Sequence, residues 1–384
     1  MHIDELLRLM IPADASDLHF KAGRPPLFRV DGDLKPVPEF PPVSHEQIVE
    51  LLRPVLPPHA VRRFAERREA DCAYEVAGAA RFRVNVFQQR GAVGAVLRLI
   101  PADVPTIEEL GLPEVLNEFA DRENGLVLVT GPTGSGKSTT LAAMVERINR
   151  TRPLHVVTIE DPVEFVYVDK TATINQRELG TDTESLADAL RAVLRQDPDI
   201  ILMGEMRDPE TVKFGITAAE TGHLVFATLH TNDAPQTLER IMDILPETAQ
   251  AVARQQLSIL LRAIVCQRLL KRKNGHGRVP ALEIMAVNET VRQLIAENKM
   301  RAVHKAMEEG GYYRMQTFNQ ALYALAESGQ VDAEEAVAAS DAPEDLRLRF
   351  RGIRRGSGAE ETMKQMAREA ADQRKSLHDR IQRF

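Results

Sequence analysis

The sequence has little cysteine: its 384 residues include two, Cys72 and Cys266, which lie far apart. A disulfide framework and a four-cysteine zinc site are therefore excluded. Long apolar runs are also missing, since none approaches the roughly 18 residues that a membrane-spanning helix needs. The N-terminus carries acidic residues early and has neither a basic region nor a small-residue cleavage site, so we expect no signal peptide and a cytoplasmic location.

Positive charge is not in excess, because the formal net charge at pH 7 is −7. Sequence-independent binding of nucleic acid needs a positive surface, so we do not expect this chain to bind nucleic acid directly. Residues 351–384 differ from the rest, with nine lysines and arginines against five acidic residues. We interpret this segment as a charged tail, helical or flexible.

With 43% hydrophobic and 27% charged residues, the composition is that of an ordinary globular protein, and the length allows two or three domains. From Gly125 onward, short apolar runs alternate with helical patterns, which predicts a parallel sheet covered by helices on both faces. The predicted fold class is therefore α/β. Its predicted parts are an N-terminal α+β domain at 1–105, a linker at 106–124, an α/β core at 125–280, a helical subdomain at 281–350 and the tail at 351–384.

The segment "ARFRVNVFQQRGAVGAVLRLI" predicts a β-hairpin that turns at residues 90–91. In its first strand apolar residues alternate with Arg81 and Arg83, and Arg98 lies on the partner strand. Arginine can neutralise charge that develops on phosphoryl oxygens. These three arginines are therefore candidate catalytic residues, and a solvated strand face is the alternative.

The stretch "GPTGSGKST" matches the phosphate-binding loop pattern G-x-x-x-x-G-K-[ST], with a predicted strand before it and a predicted helix after it. In such a loop, backbone N–H groups and the helix N-terminus point at phosphate oxygens. We expect Lys137 to reach the β- and γ-phosphates of ATP, and the Ser138 hydroxyl to bind Mg²⁺. The predicted nucleotide-binding residues are Gly131, Pro132, Thr133, Gly134, Ser135, Gly136, Lys137, Ser138 and Thr139.

Polar residues follow three further predicted strands. "HVVTI" is followed by Glu160 and Asp161, with Glu164 three residues on, while "DIILM" leads to Glu205 and "LVFATL" to His230. Ligands of open parallel sheets bind outside the carboxyl ends of the strands, so we expect these side chains to converge on the phosphate-binding loop. Phosphoryl transfer needs a metal and an oriented water, which predicts that Glu205 acts on Mg²⁺ through water and that the other acids orient the attacking water. For any one of those acids, an ordinary helix N-cap is the alternative.

Two histidines, His223 and His230, flank the same apolar run. If they belong to one strand, seven residues at about 3.3 Å each separate their α-carbons by roughly 23 Å, and an odd spacing turns their side chains to opposite faces. They therefore cannot share a metal ion within that strand. We expect His230, at the carboxyl edge, to sense or stabilise the γ-phosphate; the alternative is a structural histidine that hydrogen-bonds the acidic segment 160–164. We expect His223 to serve coupling or structure.

Taken together, these motifs resemble the secretion ATPase superfamily, in particular the PilT/PilU twitching-motility ATPases of type IV pili. "TIEDPVEF" is similar to the family's Asp box, "GEMRD" to its Walker B motif and "TAAETGHLVFATLHTND" to its His box. The resemblance implies a PAS-like N-terminal domain, a RecA-like P-loop domain and a homohexameric motor that hydrolyses ATP to retract pili. It also implies that Glu164 is the catalytic base, that both histidines act in the His box, and that the hairpin arginines reach nucleotide phosphates.

The resemblance further implies work at the inner face of the inner membrane, on a pilus platform protein, with a paralogous retraction ATPase as a further candidate partner. The short loop "KRKNGHGRVP" stands where assembly ATPases carry a four-cysteine zinc segment, which favours the retraction branch. Features of both the PilT-like main motor and the PilU-like accessory motor occur, so that choice stays open. The alternative functions are a RecA-like nucleic-acid translocase, a pilus or secretion assembly ATPase, and a non-catalytic module that binds ATP.

Overall fold

The N-terminal part of the chain forms a six-stranded antiparallel sheet, which we call the N-terminal sheet. The computed structural model describes residues 2–30, 32–100 and 103–352. In chain order the elements of this part are α1 (Ile3–Met10), β1 (Asp17–Lys21), β2 (Leu27–Val30), β3 (Asp33–Pro36), α2 (His45–Leu52), α3 (Pro58–Arg67), β4 (Glu69–Val76), β5 (Ala80–Gln89) and β6 (Ala92–Ile100). The strand order is β3-β2-β1-β6-β5-β4.

The predicted hairpin is confirmed as β5 and β6. Gln89 pairs with Ala92, and the two turn residues Arg90 and Gly91 both have positive φ, at 48° and 80°. A two-residue turn of this kind matches the twist of the strands it joins. The apolar residues of β5 are buried against the helices, so the alternating arginines lie on the opposite face of the strand.

The second sheet, which we call the ATPase sheet, has seven strands in the order β13-β12-β7-β11-β10-β8-β9. Six of these strands are parallel, and β13 runs antiparallel to β12. Its elements are α4 (Val115–Ala120), β7 (Gly125–Thr130), α5 (Lys137–Thr151), β8 (His155–Glu160), β9 (Thr173–Glu178), α6 (Leu186–Val193), β10 (Ile200–Glu205), α7 (Pro209–Glu220), β11 (Leu224–Leu229), α8 (Ala234–Ile244), α9 (Glu247–Leu260), β12 (Leu261–Lys271) and β13 (Arg278–Ala286).

The four strands expected from apolar runs are confirmed as β7, β8, β10 and β11, and they are adjacent in the sheet. Their side chains are almost all buried, as in a parallel sheet covered on both faces. The proposed boundary between residues 280 and 281 falls inside β13, which is part of this sheet. The mixed α/β arrangement fits a RecA-like ATPase domain.

The segment proposed as a linker packs on the ATPase sheet. Ile107, Leu116 and Phe119 are buried in one cluster with Val127 and Val129 of β7. Part of residues 106–124 therefore adds to the hydrophobic core of the second sheet, besides connecting the two sheets.

Five further α-helices and one short 3-10 helix (Gly311–Tyr313) complete the described chain, as the helical pattern predicts: α10 (Glu289–Ala296), α11 (Met300–Glu309), α12 (Phe318–Glu327), α13 (Ala333–Ala338) and α14 (Pro343–Phe350). Nearly all of their buried residues belong to the same cluster as one face of the ATPase sheet. The proposed tail lies outside the described residues from position 353 onward. None of the helices in the described part of the chain is both long enough and apolar enough to cross a membrane.

Candidate functional site

The phosphate-binding loop lies between the buried strand β7 and helix α5, as predicted. Gly131, Gly134 and Gly136 have φ values of 141°, 78° and 89°. A Cβ atom on Gly131 would lie 2.4 Å from the backbone oxygen of Gln267, and one on Gly136 would lie 2.8 Å from the Nε2 atom of Gln267. The loop conformation therefore needs glycine at these two positions, because β12 passes directly against it.

Lys137 is the first residue of α5, and its ammonium group turns back over the loop. Its Nζ atom donates to the carbonyl oxygens of Gly131 at 2.8 Å and Pro132 at 3.1 Å. Burial lowers the pKa of Lys137, while the nearby charges of Glu205 and Glu164 oppose that shift. The ammonium is thus held at the mouth of the loop, where phosphate oxygens would replace the carbonyls as partners.

Glu205 ends β10, and its carboxylate contacts two side chains, those of Arg207 and His230. The Oε2 atom accepts from the Arg207 guanidinium at 2.7 Å and lies 3.0 Å from Nε2 of His230. His230 directly follows β11, which is the neighbour of β10 in the sheet. The structure therefore joins the predicted Walker B acid to the predicted phosphate-sensing histidine, and it shows no contact of His230 with the Asp box among the described hydrogen bonds.

Glu160 ends β8 and differs from the two acids that follow it. It accepts hydrogen bonds from Thr158 Oγ1 at 2.6 Å and Gln176 Nε2 at 3.1 Å, and burial together with the charge of Glu164 raises its pKa. Asp161 and Glu164 are exposed to the cavity. Glu160 is thus a fixed, desolvated group, whereas Glu164 keeps a carboxylate that a water molecule can reach.

The hairpin arginines separate into two groups. Arg83 and Arg98 pair across β5 and β6 and line the cavity above the phosphate-binding loop. Arg98 donates to Asp17 at 2.8 Å, and Arg83 lies 3.9 Å from Asp71. The expectation that Arg81 faces the nucleotide does not match the structure, because its guanidinium donates to Glu178 of β9 at 2.7 Å.

His223 lies at the amino end of β11, away from the cavity. Its Nδ1 atom is 2.9 Å from the carbonyl oxygen of Ala218 and 3.1 Å from the Thr221 hydroxyl, at the end of α7. The two histidines are therefore at opposite ends of one strand, as predicted. A direct contact of His223 with the nucleotide does not fit this position, because the phosphate-binding loop lies at the other edge of the sheet.

The resulting cavity has a volume of about 710 Å³ and lies between the two sheets. Of the predicted site residues, those that line it are Thr133, Gly134, Gly136, Lys137, Ser138, Thr139, Glu160, Asp161, Glu164, Glu205, His230, Arg83 and Arg98. Sequence reasoning missed two arginines in the lining, Arg207 and Arg278. The first follows the Walker B glutamate by two residues and could have been found, but the second comes from the loop "KRKNGHGRVP" of the β12–β13 hairpin, where no pattern indicates phosphate binding.

This geometry is that of a P-loop nucleotide site. The family model for type II/IV secretion system proteins matches residues 2–338. The chain belongs to the type II/IV secretion system protein family. PilT of Pseudomonas aeruginosa, a type IV pilus retraction ATPase, is 48% identical over 90% of this chain and 100% of the relative. PilU of the same organism, a type IV pilus ATPase, is 42% identical, and the alignment covers 91% of each chain.

Solved structures agree with this assignment to the type II/IV secretion family. The crystal structure of the pilus retraction motor PilT with bound ADP matches with a TM-score of 0.84 at 47% identity, covering 90% of this chain and 99% of that one. The ATPase DotB of Legionella pneumophila matches with a TM-score of 0.72 at 27% identity, covering 91% and 95%. The chain is thus a P-loop ATPase of this secretion family and is similar to PilT- and PilU-type motors.

Proposed function

We propose that this chain is a motor ATPase that uses ATP hydrolysis to retract type IV pili and so drives twitching motility. The observation that carries the proposal is the cavity in which the phosphate-binding loop, Glu205, Glu164, His230 and the arginines of the N-terminal sheet meet. Similarity to PilT over 90% of the chain supports the choice of pilus retraction among the functions of the family.

The nucleotide is held at the loop by backbone N–H groups, the N-terminus of α5 and Lys137. The residues also fit Mg²⁺, because the Ser138 hydroxyl and the Glu205 carboxylate line the same cavity and oxygen atoms are the ligands that Mg²⁺ prefers. When bound, Mg²⁺ neutralises charge on the phosphates and orients them. Glu164, the other carboxylate beside the loop, is then available to hydrogen-bond the attacking water.

Glu164 orients the attacking water and accepts its proton, because its exposed carboxylate faces the cavity close to Lys137. Glu160 is partly buried beside it and accepts from the Glu164 amide at 3.4 Å, so it fixes the backbone that carries Glu164. Arg83 and Arg98 stabilise the charge that develops on the transferred phosphoryl group. His230 transmits the presence of that group to Glu205, with which it is in contact.

The proposal includes the assembly and its location. By similarity to the family, the chain works as a homohexamer whose N-terminal part is a PAS-like domain and whose partners are an inner-membrane platform protein and a paralogous retraction ATPase. It acts at the cytoplasmic face of the inner membrane, at the base of the pilus. The domain division into 1–105, 125–280 and 281–350 is part of the same proposal.

Two experiments test this function. The purified chain should hydrolyse ATP, and Lys137→Ala should reduce turnover by at least about 100-fold, because a P-loop lysine contacts the phosphates directly. A strain that lacks the protein should be hyperpiliated and unable to twitch. Bald cells would instead indicate an assembly ATPase, and strong stimulation of hydrolysis by DNA would indicate a nucleic-acid translocase.

A further inference from the structure

Arg81 joins the two sheets through a salt bridge that is largely shielded from solvent. Its Nη2 atom lies 2.7 Å from Oε2 of Glu178, and the side chains are 24% and 3% exposed. Arg81 belongs to β5 of the N-terminal sheet, and Glu178 ends β9 of the ATPase sheet. We call this contact the inter-sheet bridge. A carboxylate buried to this degree needs a charged partner, so the contact favours one relative position of the sheets.

The same carboxylate also holds the segment that carries the proposed catalytic base. Oε2 of Glu178 accepts from the backbone amide of Val163 at 3.2 Å, and Val163 directly precedes Glu164. In the sheet, Glu178 is the register partner of Glu160. One oxygen atom therefore connects a side chain of the N-terminal sheet to the backbone between Glu160 and Glu164.

The position of Arg81 also determines where the other hairpin arginines lie. Arg81 and Arg83 are two residues apart on one face of β5, or about 6.6 Å along the strand. Arg98 is the cross-strand partner of Arg83, and both line the cavity. The two parts also lie close together at Gly180, because a Cβ atom placed there would be 3.6 Å from the His59 ring of α3.

We infer that the inter-sheet bridge Arg81–Glu178 is a positioning device for ATP hydrolysis: it places Arg83 and Arg98 over the phosphate-binding loop and fixes the backbone that carries Glu164. This inference rests on the proposed function. Arg81 and Glu178 are positioning residues in this scheme, and neither touches the nucleotide.

A double-mutant cycle in the full-length chain tests the inference. Arg81→Ala and Glu178→Gln should each lower kcat for ATP by about tenfold, since small displacements of reacting groups cost one to two orders of magnitude. In the double variant, kcat should be lowered by no more than about tenfold in total, because both substitutions remove the same interaction. KM for ATP should stay within about twofold, as the loop itself is intact. Arg81→Lys should recover most of the activity by keeping the charge.

A direct contact of Arg81 with phosphate would give a different pattern. Glu178→Gln would then leave kcat near the wild-type value, Arg81→Lys would be nearly as slow as Arg81→Ala, and the effects of the two sites would multiply in the double variant. That pattern would overturn the inference while leaving the ATPase function intact.

Amide hydrogen exchange provides a readout that does not depend on turnover. In Arg81→Ala, exchange of the segment 161–165 should be about tenfold faster, because the acceptor of the Val163 amide is no longer held in place. Arg83→Ala is the matched control, since it removes an arginine of the same strand face without touching Glu178, and exchange there should match the wild type. If segment 161–165 exchanged at the same rate in Arg81→Ala as in Arg83→Ala, the inference would be overturned. If the wild type hydrolysed no ATP, the proposed function would fail, but the exchange result would still decide the bridge.

Discussion

Raising the pH should lower the free energy of unfolding because one buried carboxyl group, that of Glu283 in β13, becomes ionised. This residue is 2% exposed and accepts from the first backbone amides of α8 and α12: Oε1 accepts from the Ala234 amide at 2.8 Å, and Oε2 accepts from the Phe318 amide at 3.4 Å. Burial, together with the negative charges of Asp233 and Asp341, raises the pKa of Glu283 to about 7. The two amide hydrogen bonds act in the opposite direction and lower the pKa. The carboxyl therefore ionises within the physiological pH range.

The magnitude and the direction of the effect follow from linkage. In the unfolded chain the carboxyl titrates near its ordinary value of 4.5, and in the folded chain near 7. Between these values the folded chain binds more protons, so the free energy of unfolding falls as the pH rises through this window and levels off above it. At about 1.4 kcal/mol for each tenfold change in proton affinity, the loss is about 3 kcal/mol.

Denaturant unfolding of the wild type and Glu283→Gln between pH 4.5 and 8 measures this loss. Glutamine has nearly the same shape and cannot ionise, so its stability relative to the wild type should rise by about 3 kcal/mol across the window, while titration of all other groups cancels in the difference. Glu334→Gln, at an exposed position of α13, is the control and should give a flat difference. Parallel curves for wild type and Glu283→Gln would refute the reasoning.

Three further predictions concern the cavity and the loop beneath it. Gly131→Ala should weaken ADP binding at least about tenfold in calorimetry, because its Cβ would lie 2.4 Å from the Gln267 carbonyl oxygen; unchanged affinity would contradict the loop geometry. His230→Gln should lower kcat about tenfold and His223→Gln by less than about twofold, since only His230 contacts Glu205; equal effects would contradict these placements. Thr140→Val leaves the buried Gln267 Oε1 without its 2.6 Å donor and should cost about 1–3 kcal/mol in denaturant unfolding, whereas unchanged stability would show that water replaces the hydroxyl.

The centre of the ATPase sheet could be predicted because its strands are buried on both faces. In β7, β8, β10 and β11 this burial produces short apolar runs that the sequence displays directly. The phosphate-binding loop adds a motif whose glycines and lysine have a known physical reason. Since parallel strands present their carboxyl ends at one edge, the convergence of Lys137, Glu205 and His230 followed from the strand positions alone.

The outer strands of the same sheet could not be predicted in this way. β9, "TINQRE", is an edge strand with mostly polar residues, so it lacks an apolar run. β12 follows α9 without a turn, and its apolar residues continue those of the helix. Apolar periodicity does not distinguish a buried strand from a buried helical segment in such a sequence. The boundary between residues 280 and 281 fell within β13 for the same reason.

The contact that Arg81 makes depends on the strand that could not be predicted. Alternation in β5 correctly puts Arg81 and Arg83 on one face, but it does not say what lies opposite each of them. The partner of Arg81 is 97 residues away at the end of β9, where a nearly fully buried carboxylate requires a cation. Arg83, two residues along, lies instead beside a half-exposed Asp71 and faces the cavity. Two arginines with the same local pattern thus lie in different environments, because the second sheet offers a buried acid to Arg81 and an open cavity to Arg83.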